Sequence, residues 1–200
     1  MGSIPTYLLC GLIGYLLGSI STGILVTSHE GHDIRSEGSR NTGASNALRV
    51  LGIKAGLVVF WGDFFKAAIA IVLGSLIAGR FGGMAAGFGA VLGHNWPLYF
   101  SFKGGKGVAC SAALLLLLFP WQGGIALAAC LIVIALTKYI SVGSLTALTV
   151  FFFLLLFTEA FFPCAVWALI LLLLSVYRHR SNLVRLKNGT ENKIGKRVKS

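Results

Sequence analysis

Charged side chains are scarce in this chain. They make up 12% of its 200 residues, where a soluble domain carries about 25%. Acidic groups are the scarcest, with 6 Asp+Glu against 17 Lys+Arg and a net charge of +11. No paired carboxylates, no H-E-x-x-H and no G-x-S-x-G element occur, which argues against metallohydrolases and serine hydrolases. A P-loop is missing too: the G-x-x-x-x-G-K-[ST] spacing is absent, so ATP is not implied. The H-x-x-x-x-D element of soluble glycerolipid acyltransferases is absent; His29 and His32 lie near Asp33 at the wrong spacing. Cys10, Cys110, Cys130 and Cys164 form no C-x-x-C or metal-type cluster. Each lies in an apolar stretch, and they read as buried packing residues with no disulfide framework.

What the chain has in quantity is apolar sequence, 56% of all residues, in long aliphatic runs. Water is not the main solvent of such a chain. A helix needs about 20 residues to cross a bilayer, and the apolar segments divide on that scale. Spans are expected at 4–28, 55–78 and 81–92, the third extending towards residue 100. The first lacks a basic flank and a cleavage site, so it reads as a retained span. The uncharged run 107–137 is too long for one crossing and is split by a turn at Pro120-Trp121-Gln122-Gly123-Gly124. A second split at Thr158-Glu159-Ala160 and Pro163 divides 145–177, with Glu159 expected in a solvated outer turn. Seven crossings place 29–54, 94–106, 138–144 and 178–200 on one face, with 15 of the 17 basic residues and all four histidines. The positive-inside bias makes that face cytoplasmic and puts the amino terminus outside. The fold expected is an all-α polytopic membrane protein: a transmembrane domain over 1–178 and a basic, loosely structured cytoplasmic tail over 179–200. The positive charge reads as membrane-facing, not as a nucleic-acid surface. Glycines inside the spans, among them Gly11, Gly14, Gly18, Gly87 and Gly89, read as helix-packing positions.

Four polar constellations carry potential chemistry. Ser36 to Arg49 offers hydroxyls, amides, Gly38 and Gly43, closed by Arg49. Such backbones turn N–H groups towards an anion, and arginine clamps phosphate. The alternative is a surface loop with a helix cap at Ser45 or Asn46. Gly93-His94-Asn95-Trp96-Pro97 leads to Phe102-Lys103-Gly104-Gly105-Lys106-Gly107, a glycine-flanked lysine ahead of an apolar helix. That suits anion capture at a helix N-terminus, against an interfacial anchor as the plain reading. In Lys138 to Ser144, Ser144 reads as a helix cap. His179 and Asn182 are three apart and share a face on a helix continuing from the last span; Lys196 to Lys199 reads as a lipid-surface anchor. Asp63 and Lys66, three apart inside a span, read as an ion pair, since each charge alone costs about 2.5–3.5 kcal/mol there.

Three of these segments together resemble one family. Gly38-Ser39-Arg40-Asn41-Thr42-Gly43-Ala44-Ser45-Asn46, Gly93-His94 with Phe102-Lys103-Gly104-Gly105-Lys106-Gly107-Val108-Ala109, and Tyr177-Arg178-His179-Arg180 with Asn182 resemble the bacterial PlsY family of acyl-phosphate:glycerol-3-phosphate acyltransferases. The match covers nearly the whole chain in order. Arg40 stands where the family has Gly, Ser45 where it has Thr, and Ala67 where a Gly follows the lysine. The resemblance implies a seven-helix enzyme of the bacterial inner membrane. It moves an acyl group from acyl phosphate to the 1-hydroxyl of glycerol 3-phosphate and needs no metal, nucleotide or cofactor. Membrane lipid is its setting, and no obligate protein partner is expected. Ser39, Asn41, Arg49, Lys106 and Ser144 are then expected to hold the two phosphates, with Asn182 and His179 completing the site. Lys106, His179 and Asn182 are the expected catalytic set. A small-anion transporter needs polar groups through the midplane, and beyond Asp63 and Lys66 there are few; no inverted repeat is evident. A purely structural membrane protein does not call for matched glycine–lysine loops.

Overall fold

A computed structural model of the chain describes residues 2–158 and 162–194. Among the described residues every regular element is helical. In chain order these are α1 (Ile4–Gly18), α2 (Thr22–His29), α3 (Ala44–Val50), α4 (Ile53–Asn95), a 3₁₀ turn (Leu98–Phe100), α5 (Val108–Leu118), α6 (Pro120–Thr137), α7 (Ile140–Thr158), α8 (Phe162–Arg178) and α9 (Arg180–Lys187). They fall into two compact units, residues 2–118 and 119–194. By length and composition, four segments among the described residues can cross a membrane: Ile4–His29, Ile53–Phe100, Pro120–Thr137 and Ile140–Thr158. A fifth is added if α8 and α9, bent by 58°, count as one broken span.

In the first unit the 43-residue α4 is not one rod. A straight helix of that length runs about 65 Å, twice the ~30 Å hydrocarbon core. Its backbone leaves the helical region at Ala78 and at Gly79, where φ is 63°. Left-handed backbone favours glycine, and here it reverses the chain. The legs, 53–77 and 80–95, fold against each other so closely that a Cβ on Gly74 would strike the Gly82 carbonyl oxygen. Two separate apolar segments were expected at 55–78 and 81–92, and the hairpin supplies them. α1 lies along the second leg by the same device. A Cβ on Gly14 would meet the Ala86 backbone, and one on Gly18 the Ala90 backbone. Without a hydrophobic drive between helices in lipid, small residues of this kind set the approach. The glycines read as packing positions do pack. α5 has 11 residues, about 16 Å, and follows a segment without helix or strand, 103–107.

The second unit packs α6 on α7 and α7 on α8. Phe119 anchors its interior, edge-on to Phe151 at 5.4 Å and stacked on Trp167 at 6.1 Å between ring centres. The turn expected at Pro120-Trp121-Gln122-Gly123-Gly124 is instead the first turn of α6. Proline at a helix start lacks only an N–H that would be unbonded anyway, and the Gly123 N–H closes that turn onto the Phe119 carbonyl at 2.7 Å. The break sits one residue earlier, at Phe119. The described part of the tail, expected to be loose, carries structure: α9 forms, and the Ile194 N–H bonds the Lys138 carbonyl at 2.8 Å. Glu159 and the run 196–199 lie outside the described residues. All four cysteines are buried thiols outside any disulfide.

Candidate active site

The loop before α3 is organised by one side chain. Asn46 is 1% exposed, and its amide donates to the carbonyls of Ile34 (3.1 Å) and Glu37 (3.0 Å) while its Oδ1 accepts the Ser39 N–H at 2.8 Å. The residue that caps α3 is Gly43, with no side-chain bond. The cap expected at Ser45 or Asn46 is therefore absent, because Asn46 is spent reaching back across the loop. Asn41 Oδ1 accepts the Gly43 N–H at 3.1 Å. Gly38 and Arg40 both have positive φ, 58° and 59°; a glycine would suit the second position better than arginine does. Ser39, Asn41 and Arg49 are half-buried around this turn. Beneath it, Ile24, Ile34, Ala47 and Val59 form an apolar cluster against which Phe100 packs. Phe100 thus brings the chain leading to Lys106 against the base of this loop. On the outer edge, the Arg35 guanidinium beside the exposed Asp33 holds that carboxyl below the usual carboxylate range.

Behind Lys106 lies a buried cluster of charge. Asp63 and Lys66 pair at 2.7 Å, as their i,i+3 spacing on the first leg of α4 predicts. Their side chains are 2% and 7% exposed. No local pattern in the chain announces the third member. His94, at the end of the second leg, sets its Nδ1 3.2 Å from Lys66 Nζ and 3.4 Å from Asp63 Oδ1. Lys66 also donates to the Ile20 carbonyl at 2.6 Å, in the break between α1 and α2. From α5, the Cys110 thiol donates to the Asp63 carbonyl at 3.3 Å. The Gly104–Gly105 backbone lies on His94: the Gly105 N–H donates to its carbonyl at 3.0 Å, and a Cβ on Gly105 would strike its Nε2. Lys106 follows, half-buried, and then Gly107 at φ 76° opens α5. The first N–H groups of α5 have no partner within the helix, so a lysine stands two residues before a helix N-terminus, a setting suited to anion capture.

The second unit holds the other expected residues. Ser144 lies one turn inside α7, 4% exposed, and its hydroxyl donates to the Ile140 carbonyl at 2.8 Å. It is not the cap it was read as. His179 does not lie on a helix continuing from α8; it is the residue at which α8 gives way to α9. The bend still keeps it beside Asn182, whose N–H bonds the His179 carbonyl at 2.8 Å. His179 Nδ1 faces the Ser175 carbonyl at 2.9 Å. A carbonyl only accepts, so this contact suits the tautomer with its proton on Nδ1. Sequence reasoning missed Glu191. It is 8% exposed and accepts from Asn182 Nδ2 (2.6 Å), Ser141 Oγ (3.1 Å) and Arg185 Nε (2.7 Å). Its signal was a lone acid in a basic tail.

The glycerol-3-phosphate acyltransferase family model matches residues 8–189. A glycerol-3-phosphate acyltransferase of Thermoanaerobacter sp. (strain X514) is 42% identical over 191 residues, 95% of this chain and 96% of that one. One from Shouchella clausii (strain KSM-K16) is 44% identical over 197 residues, 93% and 95% of the two chains. Among solved structures, PlsY, an integral membrane glycerol 3-phosphate acyltransferase in its glycerol 3-phosphate form, superposes with a TM-score of 0.89. It is 34% identical and covers 94% of this chain and 96% of its own. The lysophosphatidic acid form gives 0.86.

Proposed function

Because the chain belongs to the glycerol-3-phosphate acyltransferase family, we propose that it acylates the 1-hydroxyl of glycerol 3-phosphate from acyl phosphate. The products are lysophosphatidic acid and inorganic phosphate, the first acylation of phospholipid synthesis. The observation that carries this reading is Lys106, presented at the N-terminus of α5 from a loop fixed against a buried charge cluster. Both substrates bear phosphate, so the reaction needs anion donors more than acid–base groups. Ser39, Asn41, Arg49, Lys106, Ser144 and Asn182 hold the phosphates. The glycerol hydroxyl oxygen bonds to the acyl carbon, the bond from that carbon to the phosphate oxygen breaks, and the leaving phosphate takes the electron pair. Acyl phosphate is already activated, so positioning and charge stabilisation supply most of the catalysis. Lys106 neutralises the developing oxyanion or the departing phosphate. The hydroxyl proton goes to a substrate phosphate oxygen, with His179 Nε2 as the alternative acceptor. The acyl chain lies in the lipid-facing apolar groove between α1 and the second leg of α4, about 520 Å³, lined by Tyr7, Leu8, Leu12, Tyr15, Phe88 and Leu92.

Seven crossings, an external amino terminus and a basic cytoplasmic tail over 179–200 complete the reading, in a bacterial inner membrane with the site facing the cytoplasm. The charge asymmetry supports it. The test is phosphate release by the purified chain in chelator, with acyl phosphate as donor. Release that depends on glycerol 3-phosphate is expected, with no turnover from acyl-CoA. Lys106→Ala lowers kcat by about 10²–10³-fold, and His179→Ala leaves it nearly unchanged if the substrate takes the proton. Release from acyl-CoA instead would overturn the donor assignment.

A further inference from the structure

Lys106 projects from a segment, 103–107, that has no helix or strand of its own. A free lysine side chain carries about 2 kcal/mol of rotamer entropy, so a lysine that must meet a phosphate needs its backbone held. Both residues before it lie against His94. The Gly105 N–H is bonded to the His94 carbonyl at 3.0 Å. Gly104 abuts that same oxygen, and Gly105 lies against the imidazole with no room for a methyl group. His94 is itself held from the opposite side by Lys66 at 3.2 Å and Asp63 at 3.4 Å. Asp63 and Lys66 hold each other at 2.7 Å, Lys66 reaches the Ile20 carbonyl, and Cys110 of α5 reaches the Asp63 carbonyl.

We infer that Asp63, Lys66 and His94 form a seat that fixes the Gly104-Gly105-Lys106 backbone and so aims the Lys106 ammonium. They are positioning residues. Stability alone does not call for such a cluster, since well-packed apolar residues replace buried ion pairs at no cost or with a gain. Geometry does: each link is directional, and together they join the α1–α2 break, both legs of α4 and α5 to one loop. The catalytic consequence rests on Lys106 acting on phosphate; the seating itself does not.

Two readouts test it on the full chain in nanodiscs. Because the native cysteines are buried, Lys106→Cys takes a single spin label, and Lys103→Cys provides a label on the exposed part of the loop. The label at 106 should be immobilised, and should become mobile when Asp63→Asn or His94→Ala is added, while the label at 103 keeps its spectrum. An unchanged spectrum at 106 in both variants overturns the seat. With Lys106 intact, Asp63→Asn and His94→Ala should lose about 100-fold in kcat, the effect of an ångström-scale misplacement, with both KM values within about threefold. Should those variants fail to fold, Gly105→Ala decides. It leaves the cluster whole yet should lose kcat, and His94→Asn, which makes room for the methyl, should render Gly105→Ala silent. Full kcat in Gly105→Ala, or additive losses in the double variant, contradicts the seat. If the parent chain releases no phosphate, the functional reading fails, and the spin-label spectra still decide the seat.

Discussion

Each unit contains a buried carboxylate paired with a cation beside a residue assigned to phosphate, and the two pairs are built in different ways. Asp63 and Lys66 sit one turn apart on a single helix leg, 2.7 Å apart, with neither side chain more than 7% exposed. Glycine contacts clamp that leg to its partner and the partner to α1. Glu191 and Arg185 also meet at 2.7 Å, but Arg185 is 29% exposed, and the pair closes a return of the chain after α9. The first arrangement is held by backbones that cannot yield. The second is held chiefly by the carboxylate itself. One polar contact can thus be a product of the packing or its cause.

The contrast is broken most forcefully at the backbone. Gly14→Leu drives a side chain into the Ala86 backbone and should cost about 3 kcal/mol or more, read as a large drop in the thermal midpoint in detergent together with loss of turnover. Glu191→Gln should do less to stability, about 1–3 kcal/mol, because Arg185 keeps contact with water. Its main mark should be kinetic: the amide has one acceptor oxygen where the carboxylate has two, so Asn182 and Arg185 compete for it, and KM for glycerol 3-phosphate rises by up to about tenfold, a change of about 1.4 kcal/mol. If the two substitutions destabilise equally, the distinction fails. Smallest is Arg40→Gly. A non-glycine residue at φ 59° carries roughly 1 kcal/mol of strain, partly cancelled by the greater freedom of glycine when unfolded. A shift within about 0.5 kcal/mol in chemical denaturation, with full activity, is expected.

Much of the architecture was legible because lipid imposes it. Apolar length marked the segments of α1, both legs of α4, α6 and α7. Small residues marked their contacts, and the i,i+3 spacing marked Asp63–Lys66. Pro120 was misread because proline signals both a turn and the first position of a helix, and only the neighbouring packing separates the two. Ser144 was misread for a related reason: a hydroxyl near a helix start also bonds the carbonyl one turn back. The site residues were recognisable as loop chemistry, but what orients them was not. Asn46, His94 and Glu191 act across separations of 7, 28 and 9 residues, and no local pattern announces such partners. His179 and Asn182 kept their proximity through a bend that the sequence alone does not announce.

The ion pair in α4 also bears on how the chain enters the bilayer. Asp63 and Lys66 lie on one turn of one leg, so their charges cancel as soon as that leg is helical, before α1 or His94 is in place. Past Lys54 at its start, an insertion machine therefore meets a stretch, 55–77, of zero net charge, spared much of the ~2.5–3.5 kcal/mol each charge costs alone. Neutralising only Asp63 would leave a bare ammonium to be inserted, so the earliest casualty of that change would be membrane integration during synthesis.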